Sequence, residues 1–211
     1  SFPDLGWHVV GEMGGIWDHP IKLMDGFRAE VLLDGKAHQL EKAVRFTNYP
    51  MANSHLYELE GVKLSIERTQ FVPDGLEAVV VQYVLTDRSG EDRQVGFRFT
   101  GDTDLRPTWL AERQNIVDGQ DIPAFDRNLD AWVVRDSINP WTVMFGADMV
   151  SADLGETDST YGGLGTSNTL DYVLEIKANE SQVITFFVSG SFISTDAAST
   201  TYQDIRDRYS E

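Results

Sequence analysis

Apolar and polar residues alternate with a period of two along most of the chain, from about Trp7 to about Phe192. Val62, Leu64 and Ile66 alternate with Lys63, Ser65 and Glu67, and Val95, Phe97 and Phe99 alternate with Gly96, Arg98 and Thr100. Such a pattern turns one face of an antiparallel strand to a core and the other to water. Leu170, Tyr172, Leu174 and Ile176 repeat it, and Ala178-Asn179-Glu180-Ser181 then supplies a turn before the run from Val183 to Val188. This arrangement predicts a hairpin. The run from Leu76 to Leu85 is apolar on both faces and predicts a central strand, covered on both sides or buried between two layers. Asp34-Gly35, Glu60-Gly61, Pro73-Asp74-Gly75, Ser89-Gly90 and Asp118-Gly119 punctuate the runs as turns. Many strands at this spacing, with almost no helical stretch between them, predict an all-β chain folded as an antiparallel two-sheet sandwich. Val62, Leu64, Ile66, Val80, Phe97, Phe99, Trp132, Leu174 and Phe187 are expected to be buried between the sheets or beneath a covering element. The Gly-, Ser-, Thr- and Asp-rich stretch from Ser151 to Ser167 predicts a long mobile loop.

Only the C-terminus changes period. After Ser194-Thr195-Asp196, a helix-capping sequence, Ala198, Tyr202, Ile205 and Tyr209 recur at the spacing of an amphipathic stripe. The expected organisation is a sandwich over residues 1–193 and a helix over 194–211. That helix either leads as a linker into a further domain or packs on the sandwich.

Charge narrows the partners. With 34 acidic against 17 basic side chains, the net charge of −17 repels a phosphate backbone and an anionic lipid surface, so neither nucleic acid nor membrane is an expected partner. Neutral ligands such as sugars, which bind through aromatic faces and hydrogen bonds, remain compatible with it. Cysteine is absent, which excludes disulfides, thiolate metal sites and a cysteine nucleophile. The histidines, His8, His19, His38 and His55, have no metal-ligand spacing, and there is no Gly-x-Ser-x-Gly elbow. No metal, no cofactor and no catalytic residue is assigned.

Two stretches depart from ordinary strand sequence. Residues 11–22, GEMGGIWDHPIK, crowd three glycines with Glu12, Trp17, Asp18, His19, Pro20 and Lys22. Gly14-Gly15 and Pro20 predict a bend or bulge that aims Trp17, Asp18 and His19 outward. The alternative is a plain strand pair with a core Trp and solvated ions. In GDTDLRPTWL, residues 101–110, Asp102 and Asp104 alternate like calcium-loop ligands, but the later carboxylate is missing and Arg106 takes the next position. Arg106 is expected to neutralise both aspartates, leaving Trp109 as a platform at a strand end; a structural salt bridge is the alternative. Glu12, Trp17, Asp18, His19, Lys22, Asp104, Arg106 and Trp109 are therefore the candidates for substrate binding or a domain interface.

The segments GEMGGIWDHPIKLMDGF, ERTQFVPDGLEAVVVQYVLTD, DLRPTWL and TYQDIRDRY, in this order, resemble the N-terminal β-sandwich of bacterial six-hairpin glycoside hydrolases, the glycogen-debranching and glucoamylase-like group. The resemblance covers nearly the whole chain. It implies a supersandwich, or mutarotase-like, fold that is itself non-catalytic. It also implies a C-terminal (α/α)6 catalytic domain in the same polypeptide, an oligosaccharide or polysaccharide ligand, and a periplasmic or extracellular setting. Two other readings stay open: a free-standing carbohydrate-binding module, and a mutarotase-like epimerase using His55 or His19 with a glutamate.

Overall fold

A computed structural model describes residues 14–108, 113–161 and 163–209. In chain order the strands are β1 (Ile16–Asp18), β2 (Ile21–Leu33), β3 (Lys36–Gln39), β4 (Arg45–Asn48), β5 (Asn53–Leu59), β6 (Leu64–Phe71) and β7 (Ala78–Asp87), followed by β8 (Arg93–Pro107). They continue with β9 (Asp121–Asp126), β10 (Ala131–Asp136), β11 (Thr142–Ala147), β12 (Asp153–Asp158), β13 (Thr166–Ile176) and β14 (Ser181–Ser191), before helix α1 (Thr195–Tyr209). One sheet has six strands in the order β1-β2-β8-β13-β12, with β3 also on β2; the other has eight, in the order β4-β5-β6-β7-β14-β11-β10-β9. The two antiparallel sheets face each other as the alternation requires.

Aromatic rings fill the space between them. Phe99 of the six-stranded sheet stacks on Phe186 of the eight-stranded sheet at 4.1 Å, and Tyr83, Phe97 and Tyr172 surround Phe186 at 5.4–5.9 Å. All five are buried. The Trp132 indole reaches across the sandwich to donate to the Thr169 carbonyl at 3.1 Å, so its polar atom is satisfied inside the core.

Leu64, Ile66, Val80, Phe97, Phe99, Trp132, Leu174 and Phe187 are buried as the pattern predicts, Val80 and Phe187 beneath α1. Val62 is the exception. It ends a 3-10 turn, Glu60–Val62, and Lys63 at φ 52° breaks the strand before β6 begins at Leu64, which leaves Val62 half-buried.

Helix α1 covers the outer face of the eight-stranded sheet. The Ser194 hydroxyl caps it by accepting the Ala197 N–H at 3.1 Å. Ala198, Tyr202 and Ile205 are fully buried against Ala78, Val80, Ala131, Val133, Met144 and Phe187. Gly146 admits this approach, because a Cβ there would lie 2.3 Å from the Tyr202 hydroxyl.

The predicted hairpin is a crossing. β13 pairs with β8 in one sheet, and β14 pairs with β7 in the other. β7 and β8 are joined by a second crossing beside it, through Ser89-Gly90. Alternation reports that one face is buried but not which strand lies alongside, so two half-buried strands joined by a short turn read alike in either case. The side chain of Asp87 ties the crossings together. Its carboxylate accepts the N–H groups of Ser89, Gly90 and Asn179 at 3.0–3.1 Å and meets Arg93 at 2.7 Å.

The predicted loop at 151–167 is also corrected. It contains β12, an edge strand on β13 whose register shifts between Leu154 and Thr157. An edge strand tolerates polar composition because only one side of its backbone is paired.

Candidate functional site

β8 runs the length of its sheet, from the crossings at Arg93 to the opposite end at Pro107. At that opposite end Ile21 pairs with Pro107, and Thr108 donates to the Pro20 carbonyl at 3.0 Å. The β1–β2 turn, which contains a cis His19–Pro20 bond, is thereby fixed beside the end of β8. Gly15, at φ 96°, lets β1 lie close against β2: a Cβ would strike the Met24 carbonyl oxygen.

The turn gathers the first candidates. The Trp17 indole donates to the Gly14 carbonyl at 2.9 Å and stacks on His19 at 5.8 Å, and the Lys22 ammonium lies 5.4 Å from the Trp17 ring. Lys22 is fully buried and pairs with Asp25 at 2.5 Å; the other Asp25 oxygen accepts the Tyr161 hydroxyl at 3.0 Å. His19 is exposed, whereas Trp17 and Asp18 are half-buried. Burial, followed by the nearby Glu77 carboxylate, pushes Asp18 up to about 6 against the pull of His19.

Register places Lys22 opposite Arg106 on β8, and Arg106 meets Asp104 at 3.6 Å. Arg106 does not neutralise both aspartates as the spacing suggested. Asp102 is held by Arg28 at 2.9–3.0 Å and by the Ser167 hydroxyl at 2.7 Å, because neighbouring strands place those side chains beside it. Glu12 and Trp109 lie outside the described residues.

Three carboxylates at this end were not singled out from the sequence. Asp25 and Asp121 come next to Asp104 only through strand pairing and the turn that leads into β9, and Glu77 approaches Asp18 from the other sheet. A polar Asp25 within the buried run Ile21–Phe27 was the one local signal.

Crowding of acids shapes their titration. Burial pushes Asp121 up to about 8, with Asp104 and Asp136 adding repulsion and the Leu105 N–H, at 3.2 Å, acting in the opposite direction. Burial and then Asp25 push Asp104 up to about 6, opposed by Arg106 and Lys22. Both folded-state values are raised, so the stability they contribute is full below the unfolded value near 4 and is lost as the pH rises through about 6 and about 8. Urea midpoints should therefore fall between pH 5 and pH 8 by the equivalent of about 5 kcal/mol, and Asp121→Asn should remove most of that fall. A slope unchanged in Asp121→Asn would place the titration elsewhere.

The turns at the same end of the eight-stranded sheet expose Tyr49, Met51, Val72, Ile138 and Ile193, each more than half accessible. Large apolar side chains gathered on turns mark a surface suited to burial against another body.

No family model matches the chain, and no curated protein matches it in sequence. Solved structures share its fold. A protein assigned as a kojibiose phosphorylase from the human microbiome superposes with a TM-score of 0.59 at 12% identity, over 89% of this chain and 26% of its own. A bacterial glucoamylase solved with acarbose does so with a TM-score of 0.58 at 7% identity, over 89% of this chain and 30% of its own. For a protein assigned as an aldose 1-epimerase from Escherichia coli K12 the values are 0.50 and 7%, over 85% and 81%. The fold is thus shared with a part of the phosphorylase and of the glucoamylase and with most of the aldose 1-epimerase. The chain spans less than a third of the phosphorylase and of the glucoamylase.

Proposed function

We propose that this sandwich is a non-catalytic domain of a glycoside-processing enzyme. It supports an (α/α)6 catalytic domain in the same polypeptide and turns its β1–β2 end toward that domain and its carbohydrate. The observation that carries this reading is the asymmetry of coverage: 89% of this chain corresponds to only 26–30% of two sugar-processing proteins. The apolar turns exposed at that end supply a face for such a neighbour, and α1, packed on the eight-stranded sheet, is proposed to carry the chain on as the linker helix. Trp17, Asp18, His19, Lys22, Asp104 and Arg106, with Glu12 and Trp109, are the proposed interface or substrate-contacting residues.

Kinetics on the full-length enzyme test the assignment. Trp17→Ala should lower kcat/KM about fivefold, the loss of one stacked aromatic face worth about 1 kcal/mol, while the 211-residue chain carrying the same change keeps its fold. Unchanged kinetics together with an unfolded 211-residue chain would make Trp17 ordinary core.

A second reading, an epimerase, is favoured by the 81% coverage of the aldose 1-epimerase. Its histidine acid is poorly served by His55, which burial and Arg68 push down to about 4. Polarimetry of freshly dissolved glucose or galactose separates the two: a sandwich domain leaves the rate of mutarotation unchanged.

A further inference from the structure

We infer that the inner face of β4, β5 and β6 binds a carboxylate-bearing sugar, a uronate, with Arg68 as the anchor for its carboxylate. Register sets Phe46 opposite His55 and His55 opposite Arg68, so the three side chains form one row across three strands. Asn53 and Gln70 are paired in the next row. The Arg68 guanidinium lies 5.6 Å from the Phe27 ring and 5.8 Å from the Tyr57 ring, and the residue is only 8% exposed.

Aromatic faces hold a guanidinium in place without neutralising it. Although the chain carries 34 acids, no carboxylate among the described residues comes within ion-pair distance of Arg68. Its Nε has no hydrogen-bond partner, and neither do Asn53 Oδ1 and Gln70 Oε1, all three shielded from water. A bound anion relieves a buried cation with an open donor, and donor hydroxyls carried by the same ligand satisfy the open amide oxygens. The field is felt nearby, since Arg68 adds to burial in depressing the His55 imidazole.

The margin of the row is accessible. Phe46 is more than half exposed, with its ring 4.9 Å from that of His55. A neutral sugar leaves Arg68 without a counter-charge, and a simple carboxylate leaves the aromatic margin unused. A uronate presents its carboxylate to Arg68, its apolar C–H face to Phe46 and its hydroxyls to Asn53 and Gln70. This row shares no residue with the Trp17 cluster and is independent of the function proposed above.

Isothermal titration calorimetry of the 211-residue chain with glucuronate, glucose and acetate tests the site. Glucuronate should saturate with a Kd of about 1 mM, with glucose and acetate each about tenfold weaker or more. Arg68→Gln should weaken glucuronate by about tenfold. Should that variant fail to fold, Phe46→Ala, at an exposed position, should weaken it by about threefold, and glucuronate should raise the His55 pKa followed by NMR. No saturable heat, glucose or acetate bound as tightly as glucuronate, or affinity unchanged in Phe46→Ala with an unmoved His55, would overturn the assignment.

Discussion

Phe186→Ala is expected to cost about 4 kcal/mol, a large share of the roughly 5–15 kcal/mol that keeps a domain folded. Phe186 is fully buried and touches rings from both sheets: Phe99, Phe97 and Tyr172 on one side, Tyr83 on its own. Its removal deletes apolar area and leaves a cavity that four other aromatics, fixed on the three strands β7, β8 and β13, cannot collapse to fill. Urea denaturation should show a lower midpoint with little change in slope, and Phe186→Leu should recover more than half of the loss. A cost below about 1 kcal/mol would mean that the sheets can close around the gap.

Asp87→Ala should cost about 3–5 kcal/mol by a different mechanism. The Asp87 side chain is fully shielded, and it is the common acceptor for both sheet crossings. Removing it orphans those N–H groups and takes from Arg93 its carboxylate, while Arg93 must still hold the carbonyls of Val62 and Lys63 at 2.6–2.8 Å. Burial pushes the Asp87 carboxyl up, but the Ser89 hydroxyl and the N–H groups of Asn179, Ser89 and Gly90 outweigh it and hold the group well below the ordinary carboxylate range. This folded-state value is depressed. Its contribution is accordingly present above the unfolded value near 4 and lost as the pH falls below it, the opposite sense to Asp121. Acid titrations of wild type and Asp87→Asn should converge at low pH; parallel curves would contradict the role.

Core faces were legible because alternation is a local signal: Phe97, Phe99, Leu174 and the Ala198–Tyr202–Ile205 stripe needed no knowledge of neighbours. What failed depended on neighbours. Nothing in the sequence around Asn179 distinguishes a hairpin from a crossing, and nothing around Asp102 announces that Arg28, 74 positions away, takes it from Arg106. The clustering of Trp17, His19 and Lys22 was readable because those residues share one turn, whereas Asp25, Asp104 and Asp121 meet only after strands from distant parts of the chain align. Arg68 was silent for the same reason. A lone basic residue in an alternating strand looks solvated until the opposite sheet is seen to cover it.

The order of the eight-stranded sheet has a temporal consequence. β4 to β7 form one run of sequential neighbours and β9 to β11 another, and β14 alone lies between the two runs. The last strand of the sandwich is thus a keystone. On a ribosome, the two partial sheets can be made but not joined until residues 181–191 have emerged, and the pairing that joins them spans about 100 residues of intervening chain, a long loop to close. Until then the unpaired edges of β7 and β11 stand open to other chains. A delay before β14 pairs therefore lengthens the time in which these partial sheets can join the wrong strand.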